Sequence, residues 1–294
     1  MFEFKDVDNI ALKATVEDLK KIFSNILKEV NYGSILCYNQ TFNGFYRARK
    51  HDLFNGKLNK DKSIHLFTSE SEFWHPPKQC VLRRGRCNDI KESMFYCSNE
   101  FETAIAEVRP DLGKFITVAN FRPNIINGKL PSFRIKPVCI QHLQRIVGHK
   151  SCVQKFDLTK RNKLLLEADD YFDTLFTEIV SDSNEYRYKI TVAITKCMLA
   201  DIMNDNNDIF STNGMIYPSI VKDNKSINIL LKPIYAENNF QIVSLQTFQV
   251  IEENNKGFLL KFVRNGNLIG YKDYPSIKLN IKWTEITNGD STYI

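Results

Sequence analysis

Residues 83–110 read RRGRCNDIKESMFYCSNEFETAIAEVRP. The apolar run at 94–97 predicts a short strand, and Ser98 after it is a suitable cap for a helix. Apolar side chains recur at positions 101, 104, 105 and 108, and Pro110 ends the predicted helix. A glycine-containing turn, a strand and a helix follow one another closely, which favours an α+β fold.

The segments on either side extend this pattern. A helix is predicted over Lys13–Val30, with Thr15 as its N-cap and Asp18 three residues later. Helical spacing also predicts helices over Lys163–Val180 and Tyr186–Met203. The region Asn124–Asp157 is mixed and gives no ordered series of elements. The chain therefore has several amphipathic helices outside its central motif.

The C-terminal part is strand-like. Strands are predicted over Ile227–Ile234, Phe240–Ile251, Gly257–Val263 and Leu268–Tyr271, and Asn265-Gly266 predicts a hairpin turn. No internal repeat or long linker separates these segments. We expect an N-terminal helical extension over residues 1–40, a main domain over 41–240 and a β-rich C-terminal extension over 241–294.

Composition limits the class of protein. The chain has 294 residues, of which 43% are hydrophobic, enough to bury a core. Its first ten residues, MFEFKDVDNI, lack the pattern of a secretory signal. No stretch approaches the roughly 18 uncharged apolar residues of a membrane-spanning helix. We expect a cytoplasmic protein without a membrane partner.

Cysteine usage and charge bear on metals and nucleic acids. The seven cysteines include no C-x-x-C pair, and His75 has no second histidine at metal spacing. Reduced thiols and no metal are expected, with zinc as the weaker alternative. The net charge of +6 is scattered and forms no basic tract, so nucleic acid is not favoured. The local arginines suit a small anion such as a dinucleotide.

Three charged residues stand out, and each has a structural alternative. Arg47 lies in an aromatic strand, where it either meets an anion or points to solvent. Arg86 follows Gly85 and precedes Asn88, a group that suits phosphate binding but also an ordinary surface turn. Glu107 borders the apolar stripe of its helix, where it either pairs with an arginine or serves catalysis.

Read together, these motifs resemble a known family. Tyr46-Arg47, Gly85-Arg86-Cys87-Asn88, Tyr96 and the segment Glu102–Pro110 are similar in type and spacing to the RES domain, a family of bacterial toxins with an ADP-ribosyltransferase-like fold. A second block around Ser219 and Asn228 resembles the C-terminal part of that family. The resemblance implies an ADP-ribosyltransferase-like RES fold over residues 41–240.

The resemblance also implies a reaction, cleavage of the bond between nicotinamide and ribose in NAD. Glu107, Arg86 and Tyr96 are then the catalytic residues. Arg47, Arg86, Asn88, Tyr96, Ser219 and Asn228 are expected to bind NAD, which is substrate rather than resident cofactor. Glu107 would stabilise the ribose cation, and the two arginines would hold the phosphates.

The acceptor and the partners stay open at this stage. Water or phosphate would give NAD degradation, whereas a protein acceptor would give ADP-ribosylation. A module of the same fold that binds nucleotides without catalysis is the alternative from another class. The resemblance implies a helix-turn-helix antitoxin as a protein partner, and a homodimer is a further candidate assembly.

Overall fold

This computed structural model describes residues 4–29, 35–38, 44–51, 67–125, 127–147, 163–200, 202–203, 209–221, 226–254, 257–269, 279–286 and 291–293. The helices in these ranges are α1 Val7–Lys13, α2 Val16–Glu29, α3 Phe101–Glu107, α4 Ile140–Val147, α5 Lys163–Thr177, α6 Tyr186–Met198 and α7 Pro233–Asn239. The strands are β1 Ile35–Tyr38, β2 Phe45–Lys50, β3 Phe95–Ser98, β4 Phe115–Pro123, β5 Ser132–Pro137, β6 Ile202–Met203, β7 Ile209–Phe210, β8 Gly214–Pro218, β9 Ile227–Leu231, β10 Phe240–Asn254, β11 Gly257–Ile269, β12 Asn280–Glu285 and β13 Ser291–Tyr293.

The chain divides into two compact units, each made of three segments. The first unit comprises Met1–Phe42, Pro76–Tyr96 and Ile125–Ala236, and the second comprises Asn43–His75, Cys97–Asn124 and Glu237–Ile294. Helices and strands occur in both, and the fold class is α+β as predicted. The division at residues 40 and 240 and the ADP-ribosyltransferase-like topology remain predictions.

In the first unit, α2 begins with the predicted cap. The hydroxyl of Thr15 accepts a hydrogen bond from the Asp18 backbone N–H at 3.2 Å, and the Asp18 carboxylate accepts one from the Thr15 N–H at 3.2 Å. These reciprocal bonds satisfy two amides at the helix start. Leu19 and Phe23 are fully buried, and the Phe23 ring lies 6.0 Å from that of Phe172 in α5. The amphipathic pattern thus packs α2 into the first unit.

The strands of the first unit form a mixed set in the order β1-β5-β8-β9. The β1/β5 and β8/β9 pairs are antiparallel, whereas β5 and β8 are parallel. Every residue of β8 and β9 is buried. Because both faces of these two strands are covered, their sequences are nearly continuous apolar runs.

The strands of the second unit are antiparallel, in the order β2-β4-β10-β11-β12, with β13 also on β11. The end of β3, Cys97 and Ser98, also belongs to this unit, and Ser98 pairs with Tyr46 of β2. Helix α3 packs on the face of β2 and β4 that carries Ala48, Ile116 and Val118. Ala104 and Ile105 of α3 are buried in that core. The predicted apolar stripe of α3 is therefore the surface that attaches it to the strands.

One turn prediction was wrong. Asn265 and Gly266 lie inside β11, where Gly266 pairs with Leu245 on one side and Trp283 on the other. A Cβ on Gly266 would lie 2.8 Å from a ring carbon of Trp283. The glycine therefore accommodates a large neighbour on an adjacent strand instead of a hairpin turn.

Two predicted element ends also shift. Helix α6 ends at Met198 instead of residue 203, and Ile202–Met203 forms β6, which pairs with β7. Strand β9 ends at Leu231, and α7 begins at Pro233, a residue well suited to the first turn of a helix. The end of the strand predicted to reach Tyr271 lies outside the described residues. Across the described ranges, no helix combines the length and apolarity needed to cross a membrane.

Candidate functional site

The turn at residues 85–88 in the first unit brings three predicted site residues together. The backbone N–H of Gly85 donates to the carbonyl of Asn88 at 3.1 Å, which closes the turn. The hydroxyl of Tyr96 donates to Asn88 Oδ1 at 2.8 Å and accepts from the N–H of Cys87 at 3.1 Å. Tyr96 is thus fixed to the turn that carries Arg86, within the first unit.

Gly85 leaves room for the Asn88 side chain to pack closely against the turn. A Cβ at position 85 would lie 2.6 Å from Asn88 Oδ1 and 3.6 Å from the hydroxyl of Tyr96. The first distance is too short for non-bonded atoms, so a side chain would displace the Asn88 amide. The glycine is therefore explained by the close approach of a side chain within the turn.

Arg86 has main-chain partners. Its Nη1 donates to the carbonyl of Leu175 at 3.0 Å, and its Nη2 donates to the carbonyl of Glu178 at 2.9 Å. Both acceptors lie at the end of α5, where helical carbonyls lack intrahelical donors and the helix dipole favours a positive charge. Two of the five N–H groups of an arginine are engaged in this way. In this structure Arg86 anchors the turn to α5.

Cys87 lies in the interior behind the turn. It is 1% exposed, and its thiol contacts the side chains of Thr195, Tyr217 and Tyr96. Burial raises the pKa of Cys87 to about 12. Burial likewise raises the pKa of Tyr96 well above its ordinary value. At neutral pH Cys87 is therefore a packed thiol rather than a nucleophile, and Tyr96 is a neutral hydrogen-bond donor.

Ser219 and Asn228 occupy one face of the β8–β9 hairpin. Asn228 pairs with Tyr217, and the N–H of Ser219 donates to the carbonyl of Ser226 at 2.8 Å, which continues the pairing. Because side chains alternate along a strand, Ser219 and Asn228 share the face of Tyr217. Both are buried, at 0% and 8% exposure. Since Tyr217 contacts Cys87, this face is turned towards the 85–88 turn.

Tyr217 was missed by the sequence analysis. Its ring is tilted against that of Phe176 in α5, with the two ring centroids 5.6 Å apart. Tyr217 is 4% exposed. Its position two residues before Ser219 was the available signal, because alternation in a strand places the two side chains on one face. Tyr217 connects the hairpin to the turn.

Arg47 belongs to the second unit, on β2. Tyr46 faces α3, with its ring edge-on to Phe101 at 5.9 Å, and alternation places Arg47 on the opposite face of the strand. Arg47 lies near Cys97 of β3 there. Burial raises the pKa of the Cys97 thiol, and the positive charge of Arg47 opposes that rise.

Glu107 is the last residue of α3, also in the second unit, and it is exposed. Its helix packs on the face of β2 that carries Tyr46 and Ala48, whereas Arg47 is on the other face. The structure therefore does not bring Glu107 and Arg47 together on one face of β2. Their expected roles in binding and cleaving NAD remain predictions.

No cluster of three or more histidine, cysteine, aspartate or glutamate residues has the proximity to hold a metal ion within the ranges described. The cysteines that the structure describes with their side chains are free thiols. They comprise Cys80, Cys87, Cys97, Cys139 and Cys197.

Comparison with known proteins gives the family. The sequence model of the RES domain matches residues 62–250, well over half of the chain. This protein therefore belongs to the RES domain family. The matched region contains the 85–88 turn, Tyr96, Glu107 and the β8–β9 hairpin, whereas Arg47 lies before it. A search of curated proteins found no match to this chain.

Proposed function

We propose that this protein is an enzyme that cleaves NAD between nicotinamide and ribose. The observation that carries the proposal is the RES match over residues 62–250, which includes every predicted site residue except Arg47. Arg86, Asn88 and Tyr96 support it, because the first unit holds them together on a hydrogen-bonded turn. NAD is the proposed substrate, and the cytoplasm is the proposed place of action.

The reaction requires little acid catalysis. The carbon–nitrogen bond breaks, its electron pair leaves with nicotinamide as a neutral molecule, and C1′ of the ribose becomes cationic. Attack by water on C1′ and loss of one proton yield ADP-ribose. The protein must therefore supply negative charge near the forming cation and hold the dinucleotide in place. Glu107 is the carboxylate assigned to the first task.

Tyr96 has a defined part in this proposal. Its raised pKa keeps the phenol protonated, so it acts through its hydrogen bonds and its ring and not as a base. The hydroxyl already holds Asn88 Oδ1, and Asn88 Nδ2 donates to the carbonyl of Asp89 at 3.1 Å. Tyr96 therefore preorganises the turn, and Ser219 and Asn228 supply polar groups from the hairpin.

The test uses purified full-length protein and NAD, with nicotinamide release followed by chromatography. Glu107→Gln keeps the shape of the side chain but removes its charge, and we expect release to fall by about 100-fold or more. Glu102→Gln is the matched control, because it makes the same change on the same helix at a residue without a proposed role. Absence of release by the wild type, or equal release by Glu107→Gln, would refute the proposal.

The acceptor is decided by the product. Free ADP-ribose identifies water, ADP-ribose 1″-phosphate identifies phosphate, and label from NAD that stays on protein identifies ADP-ribosylation. The proposal also includes a helix-turn-helix antitoxin as partner. Co-expression with the product of a neighbouring gene of that type is expected to restore growth to cells that express this chain.

A further inference from the structure

A cavity of about 380 Å³ opens on the first unit, next to the 85–88 turn. Its volume falls within the range typical of small-molecule pockets, roughly 300–1,000 Å³. Its walls come from the residues just before Arg86, from the segment after α5 and from the start of α6. The lining residues are Arg83, Arg84, Val180, Ser181, Glu185 and Tyr188.

The wall formed by the segment after α5 is held by hydrogen bonds. Arg86 binds the carbonyl of Glu178, two residues before Val180. The Ser181 N–H donates to Asn184 Oδ1 at 2.6 Å, and Asn184 Nδ2 donates to Glu178 Oε1 at 3.1 Å. The guanidinium of Arg187 also binds the Glu178 carboxylate. Because these bonds hold the segment after α5 in place, this wall of the cavity has a defined position in the first unit.

The lining groups differ in chemistry, and together they suit a nucleotide. Arg83 and Arg84 offer guanidiniums, which bind phosphate through paired N–H donors. Arg84 Nε lies 2.8 Å from Asp89 Oδ1, and this ion pair holds the side chain in place. The two terminal nitrogens of an arginine carry further N–H donors. Tyr188 offers a half-buried ring for a base. Glu185 offers an exposed carboxylate for ribose hydroxyls.

The cavity adjoins the predicted catalytic residues of the first unit. The guanidinium of Arg86 donates to the carbonyl of Glu178 at 2.9 Å, two residues before the lining residue Val180. Arg83 and Arg84 lie within three positions of Arg86 in the chain. A ligand in the cavity would therefore extend towards the turn that carries Arg86 and Asn88.

We propose that this cavity binds the adenosine 5′-phosphate half of NAD, with Arg83 and Arg84 at the phosphate, Tyr188 against the base and Glu185 at the ribose. The assignment of NAD as the parent ligand rests on the proposed function. The guanidiniums, the carboxylate and the ring correspond to the three chemical parts of a mononucleotide.

The test is calorimetric titration of the full-length protein with AMP and, separately, with nicotinamide mononucleotide. Tyr188→Leu is expected to weaken AMP binding about 5- to 150-fold, because it removes base stacking. Tyr188→Phe keeps the ring and should retain binding. Arg83→Gln is expected to weaken AMP binding about tenfold by removing a charged phosphate donor. Arg145→Gln is the matched control, since it removes an exposed arginine of α4 in the same unit.

The outcomes separate this inference from the proposed function. Loss of AMP binding in Tyr188→Leu and Arg83→Gln, with Arg145→Gln unchanged, supports the cavity whether or not the protein cleaves NAD. Wild-type protein that does not bind AMP, or variants that bind it equally well, would overturn the inference even if nicotinamide is released. Nicotinamide mononucleotide that binds more tightly than AMP, with the same dependence on Tyr188, would also overturn it.

Discussion

Arg86→Gln provides a direct test of how the candidate site is built. The guanidinium of Arg86 donates to the carbonyls of Leu175 and Glu178, which lie at the end of α5. Glutamine has no positive charge and is too short to form both bonds. We therefore expect the folded protein to be less stable even without NAD, because the helix end loses its cap.

The size of the effect follows from the two bonds. Hydrogen bonds from a charged donor contribute about 1.5–3 kcal/mol each, with lower values where water replaces the donor. A positive charge at a helix C-terminus adds about 0.3–1 kcal/mol. Since Arg86 is half-buried, water compensates part of the loss. The free energy of unfolding should decrease by about 2–4 kcal/mol.

Urea unfolding followed by far-ultraviolet circular dichroism measures this change. Arg83→Gln is the matched control, because Arg83 is exposed and its replacement should change the free energy by about 0.5 kcal/mol or less. Arg86→Lys keeps the charge but loses the planar fork, so an intermediate decrease is expected. Faster hydrogen–deuterium exchange in residues 174–180 of Arg86→Gln would locate the loss at the end of α5.

The reasoning fails if Arg86→Gln is as stable as the wild type. That result would show that the bonds to α5 do not hold the turn, and Arg86 would then serve a ligand alone. Equal destabilisation by Arg83→Gln would also contradict it, because the effect would then come from net charge and not from the bonds to the helix end.

Three further predictions concern the same turn. Tyr96→Phe removes the hydroxyl that joins Asn88 to the N–H of Cys87 and should lower the free energy of unfolding by about 1–3 kcal/mol in urea titrations. Gly85→Ala should displace the Asn88 side chain, and the Asn88 amide resonances in nuclear magnetic resonance spectra should shift; unshifted resonances would contradict the steric argument. Cys87, with its pKa raised from 9.0 to about 12, should resist iodoacetamide at pH 8 while the exposed Cys80 reacts, as mass spectrometry of the alkylated peptides would show. The folded state keeps the Cys87 thiol neutral, so this contribution to stability is complete below pH 9 and decreases as the pH rises from 9 towards 12.

Local patterns in the sequence predicted several elements well. The Thr15–Asp18 cap, the core of α5 and the strand–helix pair β3–α3 depend on residues close together in the chain, so their spacing indicates them directly. The cap predicted at Ser98 was wrong, because Ser98 is the last residue of β3 and Glu100 is the residue before α3. The hairpin predicted at Asn265-Gly266 was wrong because the same dipeptide also fits a strand where a neighbouring side chain needs space. Only the strand partners distinguish these two uses of glycine.

For the site, the sequence by itself singled out Arg86, Asn88 and Tyr96 through the resemblance to the RES domain, because residue types and spacing are local features of the chain. The hydrogen bonds that join the Tyr96 hydroxyl to Asn88 and Cys87 were not predicted and are seen only in the structure. The tertiary structure alone decided what Arg86 binds, since its acceptors are 89 and 92 residues away. It also decided that α3 packs on the face of β2 opposite Arg47. Every residue has a main-chain carbonyl, so the sequence does not show which carbonyls will accept a hydrogen bond from a distant side chain. The partner of Arg86 is therefore known only once the position of the helix end is known.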